Sequence, residues 1–245
     1  MVDDLWPEVI YERGFFKSKF LQKFLNKLAY FSYDFPQYVL PLTEEAKNHI
    51  VKFYKIDPKK IIVMEHGVDL DIFKFQEKEI HPPFIIMYSG ALVESYNFKI
   101  LLEAAKKLKH KNFQFVIRGK GLLLEELKKK KHELNLTNVL IDSTLVENEQ
   151  LSSVLSTADI FLVPMKDNYF LNLSLPTKIL EYQALGRPII CLSDGAPGNY
   201  VQNTNSGLKI SSNNLSELIN AIENLRSDHN LLKTLGENGV RYVND

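Results

Sequence analysis

Lys178 and Glu181 stand three residues apart in the stretch LSLPTKILEYQALGRP, residues 173–188. Pro176 suits a first helical position, Gly186 a position just past the end, and Pro188 cannot resume the turn, so a helix of about three turns is predicted between them. On such a helix Lys178 and Glu181 share a face. The free N–H groups at its start, those of Thr177 and Lys178, form a natural phosphate site. A cation beside phosphates, with a carboxylate one turn deeper accepting hydrogen bonds from ribose hydroxyls, could hold a nucleoside diphosphate sugar. The same spacing also describes a plain i,i+3 ion pair on a surface helix, and spacing alone favours that.

Those side chains need a scaffold, and residues 84 onward supply its pattern. Short β-branched or aromatic runs at 84–88, 113–117, 139–141, 160–163, 189–192 and 208–210 alternate with segments of helical period. This is the signature of an α/β fold with a doubly wound parallel sheet. Ligands of such sheets bind beyond the carboxyl ends of the strands. The residues there include Ser89-Gly90, Gly119-Lys120-Gly121 and Asp142. Gly90, Gly119 and Gly121 have no Cβ, which lets a ligand approach the backbone or merely lets the chain turn; the sequence leaves both open. Gly119 and Gly121 also begin a dinucleotide fingerprint, but its third glycine position holds Leu124, which argues against a nicotinamide cofactor. The six histidines are scattered over helix, hinge and loop positions, so no general base is assigned.

Residues 1–79 offer only two strand-like runs, 38–42 and 61–64, among helical stretches, too few for an independent sheet. They read as part of a second α/β domain, ending in the polar stretch Gln76 to His81 before Pro82-Pro83, with residues 80–245 as the complete domain. The length agrees: 245 residues is about 1.6 domains of typical size. Within the first segment, apolar residues from Phe16 to Leu28 form one helical stripe flanked by lysines. It is either a core-facing helix with solvated lysines or a basic helix lying in a membrane interface. The lysine run 128–131 follows Glu125 and Glu126 and reads as a solvated helix end.

The 45% apolar and 24% charged shares are ordinary for a soluble globular chain. Thirty basic residues cancel thirty acidic ones, so no concentrated basic face points to nucleic acid as a partner. Cys191, the single cysteine, reads as a small buried apolar residue in a reducing compartment. With no secretion signal or apolar span in the sequence, a cytoplasmic location is expected, peripheral to the inner membrane face if the lysine-flanked helix binds lipid.

The ordered motifs resemble one family. Glu181-Tyr182 through Gly186-Arg187-Pro188, following Leu-Pro-Thr-Lys, is similar to the donor-binding signature of retaining glycosyltransferases of family 4, which have the two-domain GT-B fold. Gly67-Val68-Asp69 with Phe73 resembles the family's hinge, Tyr88-Ser89-Gly90 its first strand and turn, Gly119-Lys120-Gly121 its G-x-G loop, and Ala158-Asp159 to Pro164 its A-D-x-x-x-x-P strand. Asp4 to Glu8 resembles a segment midway through the N-terminal domain of members that build surface polysaccharides.

The resemblance implies a hexosyl transfer from a nucleotide diphosphate sugar to a glycan or lipid-linked acceptor, with retention and with neither metal nor cofactor. It implies that Glu181 contacts the donor ribose and that the N–H groups of Thr177 and Lys178 hold the diphosphate. The 119–121 loop and the residues after Ile141, including Asp142, would surround the base, and Ser89 and Gly90 are further candidates for binding the donor. Asp69-Leu70-Asp71 copies the D-x-D metal site of the other large glycosyltransferase fold, yet its place in a hinge reads as turn capping.

The chain departs from the family pattern in three respects. The glutamate usually found eight positions before Glu181 is Leu173, and the arginine and lysine that usually stabilise the leaving diphosphate fall at Ala91 and Tyr96. Lys178, helped by Lys120, would then supply that charge. A complete member would also carry most of the acceptor-side domain before Met1 and a final helix after Asp245, so a fragment is expected, with the absent half a candidate separate chain. The rival expectations are a non-catalytic nucleotide-sugar-binding protein and, less favoured, a GT-B nucleotide-sugar epimerase.

Overall fold

The computed structural model describes residues 1–12 and 18–245. It forms two compact units, 1–66 with 168–175, and 67–167 with 176–245.

The first unit contains helices α1 (Glu8–Glu12), α2 (Lys19–Asp34) and α3 (Glu44–Tyr54). Thr43 starts α3 by accepting the Ala46 N–H at 3.0 Å, with Glu44 and Glu45 in the first turn. The two expected strands are reduced to isolated parallel bridges, Val39 with Ile61 and Val2 with Pro41. Pro41 offers no N–H, so the ladder cannot continue through it. Of the predicted Phe16–Leu28 helix, Phe16 and Lys17 lie outside the described residues. The rest begins at Lys19 and runs on to Asp34. Its buried residues are Ala29 and Tyr33, while Phe20, Phe24 and Leu28 are exposed. The core-facing expectation for that stripe is therefore corrected: the helix turns its small and hydroxyl-bearing face inward.

A buried polar cluster ties this unit together. Glu8 Oε1 accepts the Tyr54 hydroxyl at 2.7 Å and lies 3.0 Å from His49 Nε2. His49 Nδ1 lies 3.1 Å from the hydroxyl of Tyr169, on the 168–175 segment. A proton on Nε2 satisfies both contacts, with Nδ1 accepting from Tyr169. Burial opposes ionisation of Glu8, but the bonds from His49 and Tyr54 outweigh it and hold the carboxyl below its ordinary 4.5. A depressed carboxyl contributes stability that is fully present above its unfolded value and is lost as pH falls through the folded one. An acid titration followed by fluorescence of Trp6, the single tryptophan, should therefore show this unit weakening below about pH 4.5. The Glu8→Gln variant, lower at neutral pH by about 1–3 kcal/mol, should show a flatter dependence there.

The second unit is a six-stranded parallel sheet in the order β3-β2-β1-β4-β5-β6. Its strands are β1 (Phe84–Ser89), β2 (Phe113–Arg118), β3 (Val139–Asp142), β4 (Ile160–Pro164), β5 (Ile189–Leu192) and β6 (Gly207–Ile210). Its helices are α4 (Phe98–Lys107), α5 (Leu124–Glu133), α6 (Asn148–Leu155), α7 (Lys178–Ala184), α8 (Ala196–Asn203), α9 (Leu215–Ser227) and α10 (His229–Asn244). Residues Phe84, Ile86 and Tyr88 of β1, Phe115 of β2 and Ile190 of β5 share one core with Leu101 of α4 and Leu218 and Ile222 of α9. On the opposite face Tyr182 of α7 stacks on Phe161 of β4, ring centroids 3.6 Å apart. Cys191 is fully buried, as expected of a small apolar residue. On α5, Lys128 pairs with Glu125 at 2.8 Å and Lys130 with Glu126, a solvated helix face.

The units divide at Gly67, ahead of the polar stretch that the sequence suggested. That stretch is bound into the second unit: Lys78 pairs with Asp159 and donates to the Thr157 carbonyl at 2.8 Å, and the Gln76 carbonyl accepts from Arg187 at 2.8 Å. No helix among the described residues is long and apolar enough to cross a membrane.

Candidate functional site

The strand order reverses between β1 and β4, and at such a switch point the connections leave in opposite directions and open a crevice at the carboxyl edge. The turn after β1 is tied to β4 by an antiparallel bridge between Tyr96 and Met165 and by the Asn97 N–H donating to the Pro164 carbonyl at 2.6 Å. From the other side α7 is fastened to the end of β1. The Tyr182 hydroxyl accepts the Ser89 N–H at 3.0 Å and donates to the Ser89 carbonyl at 2.9 Å. These bonds place Lys178 and Glu181, on the same helix, beside Ser89 and Gly90.

Lys178 does not make the surface ion pair that its spacing allowed. Its ammonium donates to the Tyr88 hydroxyl at 2.9 Å and sits 4.2 Å from the ring centroids of both Tyr88 and Tyr96. It lies so close to Gly90 that a Cβ there would come within 2.3 Å of Nζ. Tyr88 hands its own proton to the Ala91 carbonyl at 2.6 Å. Burial pushes the Lys178 ammonium down to about 7, with Glu181 opposing the fall. Burial likewise raises the Glu181 carboxyl, with Lys178 opposing. Glu181 is half-buried, and among the described residues no ion pair or hydrogen bond holds its carboxylate. The arrangement is a cation in an aromatic box with an uncommitted carboxylate one turn along the helix. It can neutralise a phosphate and accept from hydroxyl groups.

The remaining predicted residues divide into those near this point and those engaged elsewhere. Thr177 and Lys120 are exposed. Helix α7 is shorter than predicted, opening at Lys178 with a tight turn in which the Ile179 N–H bonds to the Pro176 carbonyl at 3.0 Å. Pro176 thus stands one residue before the N-cap, Thr177, and the N–H groups of Thr177 and Lys178 are those an opening turn leaves without an intrahelical acceptor. Asp142 pairs with buried Arg118, and its other oxygen accepts the Thr144 N–H at 2.8 Å. Its carboxylate is committed to the protein, which counts against a direct role in binding. Gly119 and Gly121 press against the carbonyls of Gly90 and Leu92, so their missing Cβ is used by the neighbouring turn. Asp69 caps its turn, accepting the N–H groups of Asp71 at 2.9 Å and Ile72 at 3.2 Å. Leu173 belongs to the apolar core of the first unit, and its carbonyl accepts the Thr43 hydroxyl at 2.6 Å. A glutamate there would be a buried charge, which explains the leucine.

Three tyrosines carry more of the site than the sequence reading gave them. Tyr88 and Tyr182 are fully buried with their hydroxyls paired, and Tyr96 fills the place where the family pattern has a lysine. Tyr88 at the end of β1 was the available signal, but the partners of Tyr88 and Tyr182 lie about ninety residues away in sequence.

The six-stranded parallel sheet, with a cation and a carboxylate at its switch point, has the architecture of a GT-B α/β domain. The model of the glycosyl transferases group 1 family matches residues 70–242, and the chain belongs to that family. An Escherichia coli UDP-Gal:alpha-D-GlcNAc-diphosphoundecaprenol alpha-1,3-galactosyltransferase is 29% identical over 202 residues, covering 76% of this chain and 50% of that protein. A Campylobacter jejuni N-acetylgalactosamine-N,N'-diacetylbacillosaminyl-diphospho-undecaprenol 4-alpha-N-acetylgalactosaminyltransferase is 30% identical over 133 residues, 53% of this chain and 35% of its own. Among solved structures, Anabaena HepE in complex with UDP has a TM-score of 0.76 at 14% identity, covering 89% of this chain and 62% of that one. The chain spans about half the length of the first of these relatives.

Proposed function

We propose that this chain carries the donor half of a glycosyltransferase that moves a sugar from a nucleoside diphosphate sugar to a lipid-linked or glycan acceptor, with retention of configuration and without a metal. The observation that carries the reading is the Lys178 ammonium, boxed by Tyr88 and Tyr96 against Gly90 and followed by the unbonded Glu181. Lys178 would meet the diphosphate and stabilise the charge that develops as it leaves, the role that dominates in such a transfer. Glu181 would accept from the ribose hydroxyls, and the N–H groups of Thr177 and Lys178 would add donors. Uridine is the base to try first, because the Escherichia coli relative is named for UDP-Gal and the HepE structure holds UDP. A lipid-linked acceptor, as in the names of both bacterial relatives, would set the reaction in the cytoplasm against a membrane face.

The test is a thermal-shift titration of the purified chain with UDP, GDP, dTDP, CDP and NAD, with and without EDTA. A ligand that binds only the folded state stabilises it by about 2.7 kcal/mol at a hundred times its Kd. One nucleoside diphosphate should raise the melting temperature, unaffected by EDTA, while NAD does nothing. If none shifts it, the donor-site assignment is wrong. Ala91 and Tyr96, standing where the family pattern has arginine and lysine, favour a second reading, a nucleotide-sugar-binding protein without turnover. Release of free nucleoside diphosphate from the sugar nucleotide, with acceptor present, separates the two.

A further inference from the structure

Arg118, the last residue of β2, is buried, and its guanidinium is spent on a single turn of the second unit. One nitrogen pairs with Asp142 at the end of β3, and another donates to the Thr144 carbonyl at 2.8 Å. Asp142 accepts the Thr144 N–H at 2.8 Å with its second oxygen. Both backbone polar groups of Thr144 are thereby held. Ser143, between the clamped residues, keeps its N–H, carbonyl and hydroxyl without a hydrogen-bond partner among the described residues. Burying an ion pair carries a desolvation cost that an apolar pair does not, so stability alone does not call for this one. The same edge is closed without charge at β5 and β6, which end in Leu192 and Ile210. What the pair adds is direction, because a guanidinium and a carboxylate meet their partners at fixed angles.

The clamped turn borders the crevice at the switch point. Right-handed crossovers carry β1 to β2 to β3 one way across the sheet and β3 to β4 to β5 the other way, so α4 and α5 lie on one face and α6 and α7 on the opposite one. On that second face the crevice runs from the start of α7, with Lys178, to the connection between β3 and α6, which begins at Ser143. β3 stands two strands from β1, a separation of about 10 Å. A nucleoside whose phosphates lie at Gly90 and Lys178 spans that gap and brings its base to the turn.

Granted the donor site at Lys178, we propose that Arg118 is a positioning residue: through Asp142 and the Thr144 carbonyl it holds the 143–144 turn as the edge that the donor's base meets, and thereby sets which base the chain prefers. Arg118 itself touches no ligand. A turn held at both backbone groups of Thr144 presents Ser143 in one orientation. Bases differ in the order of donors and acceptors along their edges, so telling them apart requires a fixed partner, whereas a mobile turn re-aims to suit each.

The experiment is isothermal titration of UDP, GDP, dTDP, CDP and inorganic pyrophosphate into the full chain and two variants. Pyrophosphate carries the anion without a base, so it reads the Lys178 end alone. Arg118→Leu with Asp142→Leu removes the pair without leaving a lone buried charge, a replacement that buried ion pairs commonly tolerate. It should weaken the preferred nucleoside diphosphate by about tenfold and bring its preference over the others toward one, with pyrophosphate affinity unchanged. Arg118→Lys keeps a charge opposite Asp142 but loses the second donor, and should lower the preference by about threefold; it carries the test if the double variant does not fold. A folded variant with the wild-type preference overturns the proposal. So does an equal loss for pyrophosphate and nucleotides, which makes the pair a brace for the whole sheet edge. A wild-type chain that does not distinguish the nucleotides, or binds pyrophosphate as tightly, also overturns it while leaving the Lys178 anion site standing. Binding of none of the five is failure of the donor site itself, and the proposal falls with it.

Discussion

Lys178→Met should lower the affinity for the nucleoside diphosphate by about 10- to 100-fold, the loss of a charged hydrogen bond in a half-buried site, while leaving the melting temperature of the free chain unchanged or raised. Methionine keeps the length and apolar stem between Tyr88 and Tyr96 and removes only the charge. A burial that holds the ammonium down to about 7 works against the protonated form of the free protein. A bound diphosphate favours that form. Below pH 7 the lysine is already charged and affinity should be flat; above it, affinity should fall with rising pH as a proton must be taken up on binding. Isothermal titration at pH 8 in two buffers of different ionisation heat should register that uptake, of roughly one proton. The methionine variant should bind weakly at every pH and take up none. Tyr96→Ser, which admits water to the ammonium, should move the break to higher pH without removing it. A residue that merely braced the fold would change stability and leave the pH profile alone.

The sheet was legible because its strands are short β-branched or aromatic runs, and the inner ones are mostly buried; Ile189 to Leu192, for example, is fully buried along its length. Each of the six strands predicted from residue 84 onward agrees with the observed one to within a residue, whereas the two expected runs before it are only bridges. Less legible was anything set by contact between distant parts of the chain. Lys178 and Glu181 could be placed on one helix face by their spacing, but the same spacing fits an ion pair. What decides between them is Tyr88, ninety residues upstream. The stretch between β4 and α7 joins the first unit through Tyr169, Phe170 and Leu173, and no local pattern announces that a short loop serves another core. On α2 the apolar residues follow a helical period perfectly well. The period says that they share a face and not what covers it, and the buried face proved to be the one carrying Ala29 and Tyr33. Asp142 illustrates the opposite error, since a carboxylate at a strand end reads as a ligand until Arg118 is found beside it.

Gly119→Ala should be among the most damaging single substitutions in the second unit, at about 3–5 kcal/mol, with a fall in melting temperature of roughly 6–20 °C for a unit of this size. Gly119 has φ +141°, a conformation that side-chain-bearing residues rarely adopt, and a Cβ there would lie 1.8 Å from the Gly90 carbonyl oxygen and 2.9 Å from its carbon. Both atoms are backbone, so no rotamer change relieves the clash. The two turns are also bonded to each other, Gly90 N–H to the Arg118 carbonyl at 3.0 Å and Leu92 N–H to the Lys120 carbonyl at 2.8 Å. Parting them breaks these bonds and draws Gly90 away from Lys178, so the site loosens with the fold. Gly67→Ala is the control from the hinge motif: nothing lies within 4 Å of the added methyl and its φ is ordinary, so the change should stay within about 0.5 kcal/mol. Denaturant melts of the two variants decide what the G-x-G loop is for. If Gly119→Ala melts like wild type yet fails to bind nucleotide, the glycine is there for the ligand. If it unfolds early, the glycine is there for the neighbouring turn, and the loop shapes the site by letting two strand ends meet.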